Sequence, residues 1–154
     1  MNDSTIFEKS TIESIAENNL YTFKDDKGKE PYDLIDEYLF RAVVGNSDYF
    51  WAKQLKDVSE TLDFSMFHIF KAIKDVLKYG LKKYGKVDSW KFVECAQNRY
   101  FAAMMRHEEK HYETKSMNLP ALDEESGLPH WYHVVTNMYF LLYFEILEKE
   151  NENK

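Results

Sequence analysis

A chain of 154 residues is the size of one domain and long enough to bury a core without disulfide or metal staples. Its 44% hydrophobic and 16% aromatic content excludes a disordered chain, and 5 Gly with 3 Pro are too few for the many tight turns of a sandwich or barrel. A formal net charge of -7 excludes broad binding to duplex nucleic acid, whose nonspecific affinity comes from Lys and Arg neutralising phosphates, so a small anion would have to be held by a local cluster of donors.

The expected fold is all-α, a compact bundle of about five helices with an ordered loop before the last helix. Residues 1–30 are polar and read as a draped segment, with a short helix near Thr11 to Asn18 and a turn over Lys24-Asp25-Asp26-Lys27-Gly28-Lys29. A single helical domain is expected over 31–150. Leu34, Ile35, Tyr38, Leu39 and Val43 recur at helical spacing up to a break at Gly45-Asn46. Ser47 is placed to cap the next helix, which carries Phe50, Trp51 and Leu55 and ends near Ser59 to Asp63. A third helix is predicted from Phe64 to Tyr79, with Gly80 and Gly85 weakening its end. Asp88 or Ser89 caps a fourth, running from Trp90 through Tyr100 and His107 to Thr114. Lys115 to Pro129, with two Pro and one Gly, reads as an ordered loop, and His130 to Glu148 as the last helix before a polar tail at 151–154. The longest apolar run, Met138 to Leu147, is interrupted by Glu145 and too short to span a bilayer, and no basic-then-apolar leader is visible. With one cysteine, Cys95, the expectation is a reducing cytoplasm and no membrane partner.

Only three arginines occur, and Arg99 and Arg106 lie seven apart on one predicted helix, facing the same way, with the small Ala102 and Ala103 between them. A planar guanidinium fork suits phosphate; the plainer reading pairs each Arg with an acid on a neighbouring helix. Four of five histidines, His107, His111, His130 and His133, fall in the hairpin of the last two helices. Such pairs at i,i+4 and i,i+3 can hold a transition metal with a carboxylate such as Asp123, donate to phosphate, or serve as general acid or base, although no standard zinc motif is present. Lys82-Lys83-Tyr84-Gly85-Lys86 is a lysine-rich turn leading toward a helix N-terminus, a place that binds anions or simply ends a helix in solvent. Tyr84 and Trp90 are candidates to stack on a base, or else belong to the core.

Taken in order, Lys24-x-Asp26-x-Gly28-Lys29, Tyr79-Gly80-x-x-Lys83-Tyr84-Gly85, Trp90, Arg99-Tyr100-x-x-Ala103-x-x-Arg106-His107, and Asp123-x-Glu125-Ser126-Gly127-Leu128-Pro129-His130-x-x-His133 with Asn137 and Phe140 resemble the phage-encoded family of dATP/dGTP diphosphohydrolase N-terminal domains. The resemblance covers Lys24 to about Leu142. It implies a compact helical protein of the phage-infected bacterial cytoplasm concerned with purine deoxynucleotides, distantly similar to MazG-like pyrophosphohydrolases. Residues 30–78 stand where the family has a short connection, so the helix at Asp48 to Val58 reads as an insertion that serves assembly or remodels the pocket. The Glu-Glu-x-x-Glu and Glu-x-x-Asp motifs that hold Mg2+ in MazG-like enzymes are missing, and Glu108-Glu109 with Glu113 is one residue out of phase.

Three readings follow. In the first, an enzyme cleaves a nucleoside triphosphate between the α and β phosphates using Mg2+ or Mn2+. His107 and Asp123 are then the catalytic pair and Asp123 and Glu125 the metal ligands, while Lys29, Lys83, Tyr84, Trp90, Arg99, Arg106, His130, His133 and Asn137 contact the nucleotide. In the second, the same pocket is a phage sponge, without cofactor, that sequesters a nucleotide-derived immune signal. In the third, the Arg-His face is a salt-bridge network of a structural protein. A homo-oligomer is expected in each, with Tyr49, Phe50 and Trp51 as the interface.

Overall fold

The computed structural model describes residues 28–45, 47–61 and 65–153; the helix expected at Thr11 to Asn18, and Lys24 and Asp26, lie outside them. The described residues form five α-helices and no strand: α1 Glu37–Val44, α2 Phe50–Thr61, α3 Met66–Tyr84, α4 Ala96–Ser116 and α5 His130–Glu152. Single 3-10 turns stand at Tyr32–Leu34 and Ser89–Phe92. No helix among the described residues is long and apolar enough to cross a membrane.

Helix α5 is the axis, packed against α2, α3 and α4. It carries apolar residues nearly all round, and Val135, Tyr139, Leu142 and Ile146 are fully enclosed, the behaviour of a core helix rather than an amphipathic surface one. Around it pack Leu39 and Val43 of α1, Ala52 and Leu55 of α2, and Ile69, Phe70, Ile73 and Leu77 of α3. Helix α4 is the opposite case, burying only Ala96 and Met104 of its length. It is held through Tyr100, whose ring meets Phe140 and Phe144 of α5 and whose hydroxyl donates to the Trp90 carbonyl (2.7 Å).

Local chemistry explains the helix ends. Asp36 caps α1, its Oδ1 accepting from the N–H groups of Tyr38 (2.8 Å) and Leu39 (3.4 Å), and its own N–H donates to the Tyr139 hydroxyl (2.8 Å), which ties α1 to the axis. Ser47 does not cap α2; its hydroxyl turns back to the Ala42 carbonyl (2.6 Å). The carboxylate of Glu145 on α5 takes that role, accepting from Phe50 N–H (2.6 Å) and Trp51 N–H (2.9 Å). Helix α3 runs through Gly80, where the sequence suggested an end, and stops at Gly85, whose φ of +74° gives the left-handed cap and whose N–H returns to Leu81 (2.8 Å).

The predicted fourth helix is two elements. Asp88 (φ +61°) and Cys95 (φ +53°) both adopt left-handed backbone, and Val93 is extended, so a 3-10 turn over Ser89–Phe92 precedes the start of α4 at Ala96. The turn is pinned by Lys91, buried between Asp36 and Asp88 (3.6 Å each), and by Trp90, stacked on Phe140 and met edge-on by Tyr143. A second buried cation, Lys74 on α3, is clamped by Glu30 and Asp75 (2.6 Å each).

Candidate functional site

The loop between α4 and α5 folds back on itself through an isolated bridge of Leu122 with Pro129. Asp123 N–H donates to the Leu128 carbonyl (2.7 Å), Gly127 N–H to the Asp123 carbonyl (2.8 Å), and His130 N–H to the Ala121 carbonyl (2.8 Å). Gly127 closes this turn at φ +73°, a conformation that a side chain would strain. Asp123 Oδ2 accepts from the N–H (2.9 Å) and hydroxyl (2.8 Å) of Ser126, so the carboxylate is fixed before any ligand arrives.

The result is a cluster at the seam of α4, α5 and the loop. His107 Nδ1 lies 2.9 Å from His130 Nδ1. The His107 and His133 rings stack at 4.5 Å and 13°. His133 Nε2 sits 2.7 Å from Ser126 Oγ and 3.6 Å from Asp123 Oδ2. Because the Ser126 hydrogen goes to the carboxylate, its oxygen must accept from His133 Nε2–H, which fixes that imidazole's tautomer. Serine, histidine and aspartate here do not form a nucleophilic relay, since carboxylate and hydroxyl crowd the same ring nitrogen.

Burial disfavours the charged form of three imidazoles, His107, His111 and His133. Burial, reinforced by His133 and only partly opposed by Asp123, pushes His107 down to about 4. Burial likewise lowers His133 against the pull of Asp123, and burial with Lys115 nearby lowers His111. Burial acts to raise Asp123, but the two Ser126 hydrogen bonds and the fields of His133 and His107 prevail and hold its carboxyl below the usual range. At neutral pH the site therefore offers the neutral His107 imidazole beside an ionised carboxylate. One ligand-type atom from each of His107, Asp123 and His130 lies within 4.8 Å of the others.

Of the residues expected from sequence, His107, Asp123, His130 and His133 come together here. Arg106, next to His107, is exposed and makes no ion pair within 4 Å among the described residues, and the same holds for Arg99 two turns earlier. Glu125 turns the other way: its carboxylate is paired with Lys83 and takes a hydrogen bond from Tyr79, tying the end of α3 to the loop, and the three-residue ligand group does not include it. Lys82 and Lys83 occupy the last turn of α3, where they complement the negative helix end; they do not lead into a helix N-terminus, because the chain makes the 3-10 turn first. Tyr84 is 63% exposed beneath the Lys83 ammonium.

Three expectations land elsewhere. Trp90 is 8% exposed with its ring against Tyr139, Phe140 and Tyr143, so it is core and presents no face to a base. Asn137 is buried one turn past His133 and donates its amide to the His133 carbonyl (2.7 Å), bracing the helix. Lys29 is exposed just before Glu30, whose carboxylate reaches Lys74 and Lys78 of α3. Phe50 of the expected interface is exposed and Trp51 meets it edge-on, while Tyr49 lies under Lys149. One contributor, Ser126, has no assigned role in the sequence reading. Ser126 links Asp123 to His133, and its signal was its place in Glu-Ser-Gly-Leu-Pro-His. His111 keeps Nδ1 buried without a hydrogen-bond partner among the described residues.

Comparison with curated proteins and with solved structures finds no match in either. A family model described as dATP/dGTP diphosphohydrolase, N-terminal, matches residues 51–154, which takes in most of the aromatic helix α2 that the sequence reading set apart as an insertion and leaves Lys24 to Lys29 outside. The match spans more than half of the chain and contains the whole histidine cluster, and the chain belongs to this family.

Proposed function

We propose that this protein binds a purine deoxynucleoside triphosphate at the seam of α4, the 117–129 loop and the start of α5, and hydrolyses it between the α and β phosphates. The observation that carries the reading is the convergence of two imidazoles and an ionised carboxylate beside a guanidinium with no ion pair among the described residues, within the segment matched to a family named for diphosphohydrolysis. Structural salt bridging, the plain alternative for Arg99 and Arg106, has no counterpart among the described residues. His107, His130 and Asp123 fit a divalent ion by the chemistry of their donor set. Such an ion, when bound, polarises phosphate oxygens and acidifies a water.

The remaining work belongs to the chain's own residues. Arg106 meets phosphate oxygens with its fork, and Arg99 extends the same face. His133, fixed through Ser126, holds His107 by stacking. The exposed Tyr84 ring, on the α3 end that Lys83 and Glu125 bind to the loop, offers a surface for the base.

The test is incubation with dATP, dGTP and their ribonucleotide counterparts with Mg2+ or Mn2+, followed by chromatography of both the supernatant and the denatured protein. Monophosphate and pyrophosphate are expected. Unchanged nucleotide released only on denaturation identifies a sequestering protein instead. Arg106→Ala should weaken nucleotide affinity roughly 10- to 100-fold, from about 1.5–3 kcal/mol for a charged hydrogen bond, with an unaltered melting temperature. Unchanged affinity misplaces the site.

A further inference from the structure

We infer that His107, His130 and Asp123 form a binding site for a first-row transition-metal dication, Mn2+, Fe2+, Co2+ or Zn2+, in preference to Mg2+. The inference rests on the reading above in that it names the ion used by the same site. Mg2+ takes oxygen ligands and keeps its waters, and two of the three donors here are imidazoles, which suit transition metals.

Geometry agrees with chemistry. Two nitrogens each about 2.1 Å from one ion lie about 3.0 Å apart at a right angle and about 3.4 Å apart at the tetrahedral angle. The Nδ1 atoms of His107 and His130 are 2.9 Å apart with ring centres 5.2 Å apart, so the two nitrogens face each other, and a common ion needs each ring to tilt its lone pair off that line. Without an ion, one of these nitrogens must carry the hydrogen shared between them. Ion binding shifts that imidazole to its Nε2–H tautomer and leaves both Nδ1 atoms as ligands.

The surroundings are those of a supported ligand set. Asp123 is locked by Ser126, and His107 is held flat against His133, which is itself anchored to Ser126. His111 lies one helical turn beyond His107 with a buried nitrogen that no described residue satisfies, and an additional donor at that place would end its isolation.

The full chain, stripped by chelator and dialysed, is titrated with Co2+ alone. The expected result is visible absorption well above that of the aqueous ion, because nitrogen donors in an asymmetric site intensify its d–d bands, and a large excess of Mg2+ leaves it intact. His107→Gln and His130→Gln should each weaken Co2+ binding by roughly 100-fold or more, since loss of a supporting partner alone costs 10- to 100-fold. His68→Gln, on α3, should change nothing. His130 is buried and its variant is checked by circular dichroism; the half-buried His107 supplies the second variant should the first misfold. An aqueous-type spectrum, absorption indifferent to the His107 and His130 substitutions, or displacement by comparable Mg2+ overturns the inference. Bound Co2+ without nucleotide turnover keeps the metal site and removes hydrolysis. Turnover with Mg2+ that survives His130→Gln does the reverse.

Discussion

Glu145 offers a sharp test of the packing. Its carboxylate, on the central helix and largely buried, is the acceptor for the first two N–H groups of α2, at 2.6 and 2.9 Å. Replacement by Ala removes both charge-assisted bonds and the negative charge at a helix N-terminus. Each such bond contributes about 1.5–3 kcal/mol when its donor stays dry. Phe50 is exposed, so water restores part of the loss. The net should resemble removal of a good N-cap at its upper range, about 2 kcal/mol. For a chain of this size that is a fall in Tm of about 4–8 °C. Glu145→Gln keeps one of the two acceptor oxygens, loses the charge and turns an amide NH2 toward the other N–H, and should cost about 1–2 kcal/mol. The contact to Lys149 at 3.5 Å is partly exposed, so Lys149→Ala should cost below about 0.5 kcal/mol. Urea unfolding followed by circular dichroism measures all three. If Glu145→Ala shifts stability by under about 0.5 kcal/mol, the carboxylate does not cap α2 as described.

Asp75→Ala leaves Lys74 with Glu30 as its remaining carboxylate and should cost about 2 kcal/mol, less than outright loss of a buried pair; a neutral result in urea unfolding would show that Glu30 alone suffices. The same clamp gives an acid response: Lys74 lowers the carboxyls of Glu30 and Asp75, so their contribution is complete above the ordinary carboxylate range and is lost as pH falls through the depressed values, and Asp75→Ala should flatten that decline. The two glycines of α3 should respond with opposite signs. Gly80→Ala, inside the helix with open space around the new Cβ, should stabilise by about 0.5–1 kcal/mol, whereas Gly85→Ala, at φ +74°, should destabilise by about 1 kcal/mol; like signs in thermal melts would contradict the placement of the cap. Ser126→Ala should lower Co2+ affinity roughly 10- to 100-fold with all three ligands intact, and unchanged affinity would show that Asp123 needs no bracing.

Helix content and the candidate site were legible for a common reason. Periodic apolar residues mark helices that face a core, and α3 and α5 announced themselves by it. The histidines stood out because four of five crowd one hairpin, and a hairpin of two helices necessarily brings the end of one beside the start of the other. What failed were features set by long-range contacts. Trp90 has helical spacing to Tyr100 and Ala103, yet its ring belongs to a core layer with Phe140 and Tyr143, and that placement forces left-handed backbone at Asp88 and Cys95 that no local preference predicts. Ser47 looks like a cap, and Glu145, nearly a hundred positions away, is one. Gly80 and Gly85 carry the same letter; only the backbone torsion distinguishes the helix interior from its end.

The seam joins the most enclosed helix to the least. Helix α5 is fixed on all sides, so His130 and His133 are placed by the core itself. Helix α4, which brings His107 and Arg106, buries only Ala96 and Met104 and depends on the Tyr100 rings, on one hydrogen bond to the Trp90 carbonyl, and on the imidazole contacts themselves. Apolar packing near Tyr100 sets the distance between the helices, and the polar contacts of His107, nine residues before the end of α4, with His130 and His133 in the first turn of α5 set their register. A ligand that bridges His107 to His130 therefore does two things with one set of bonds: it fills the site, and it fastens the helix that carries Arg99 and Arg106 to the rest of the molecule.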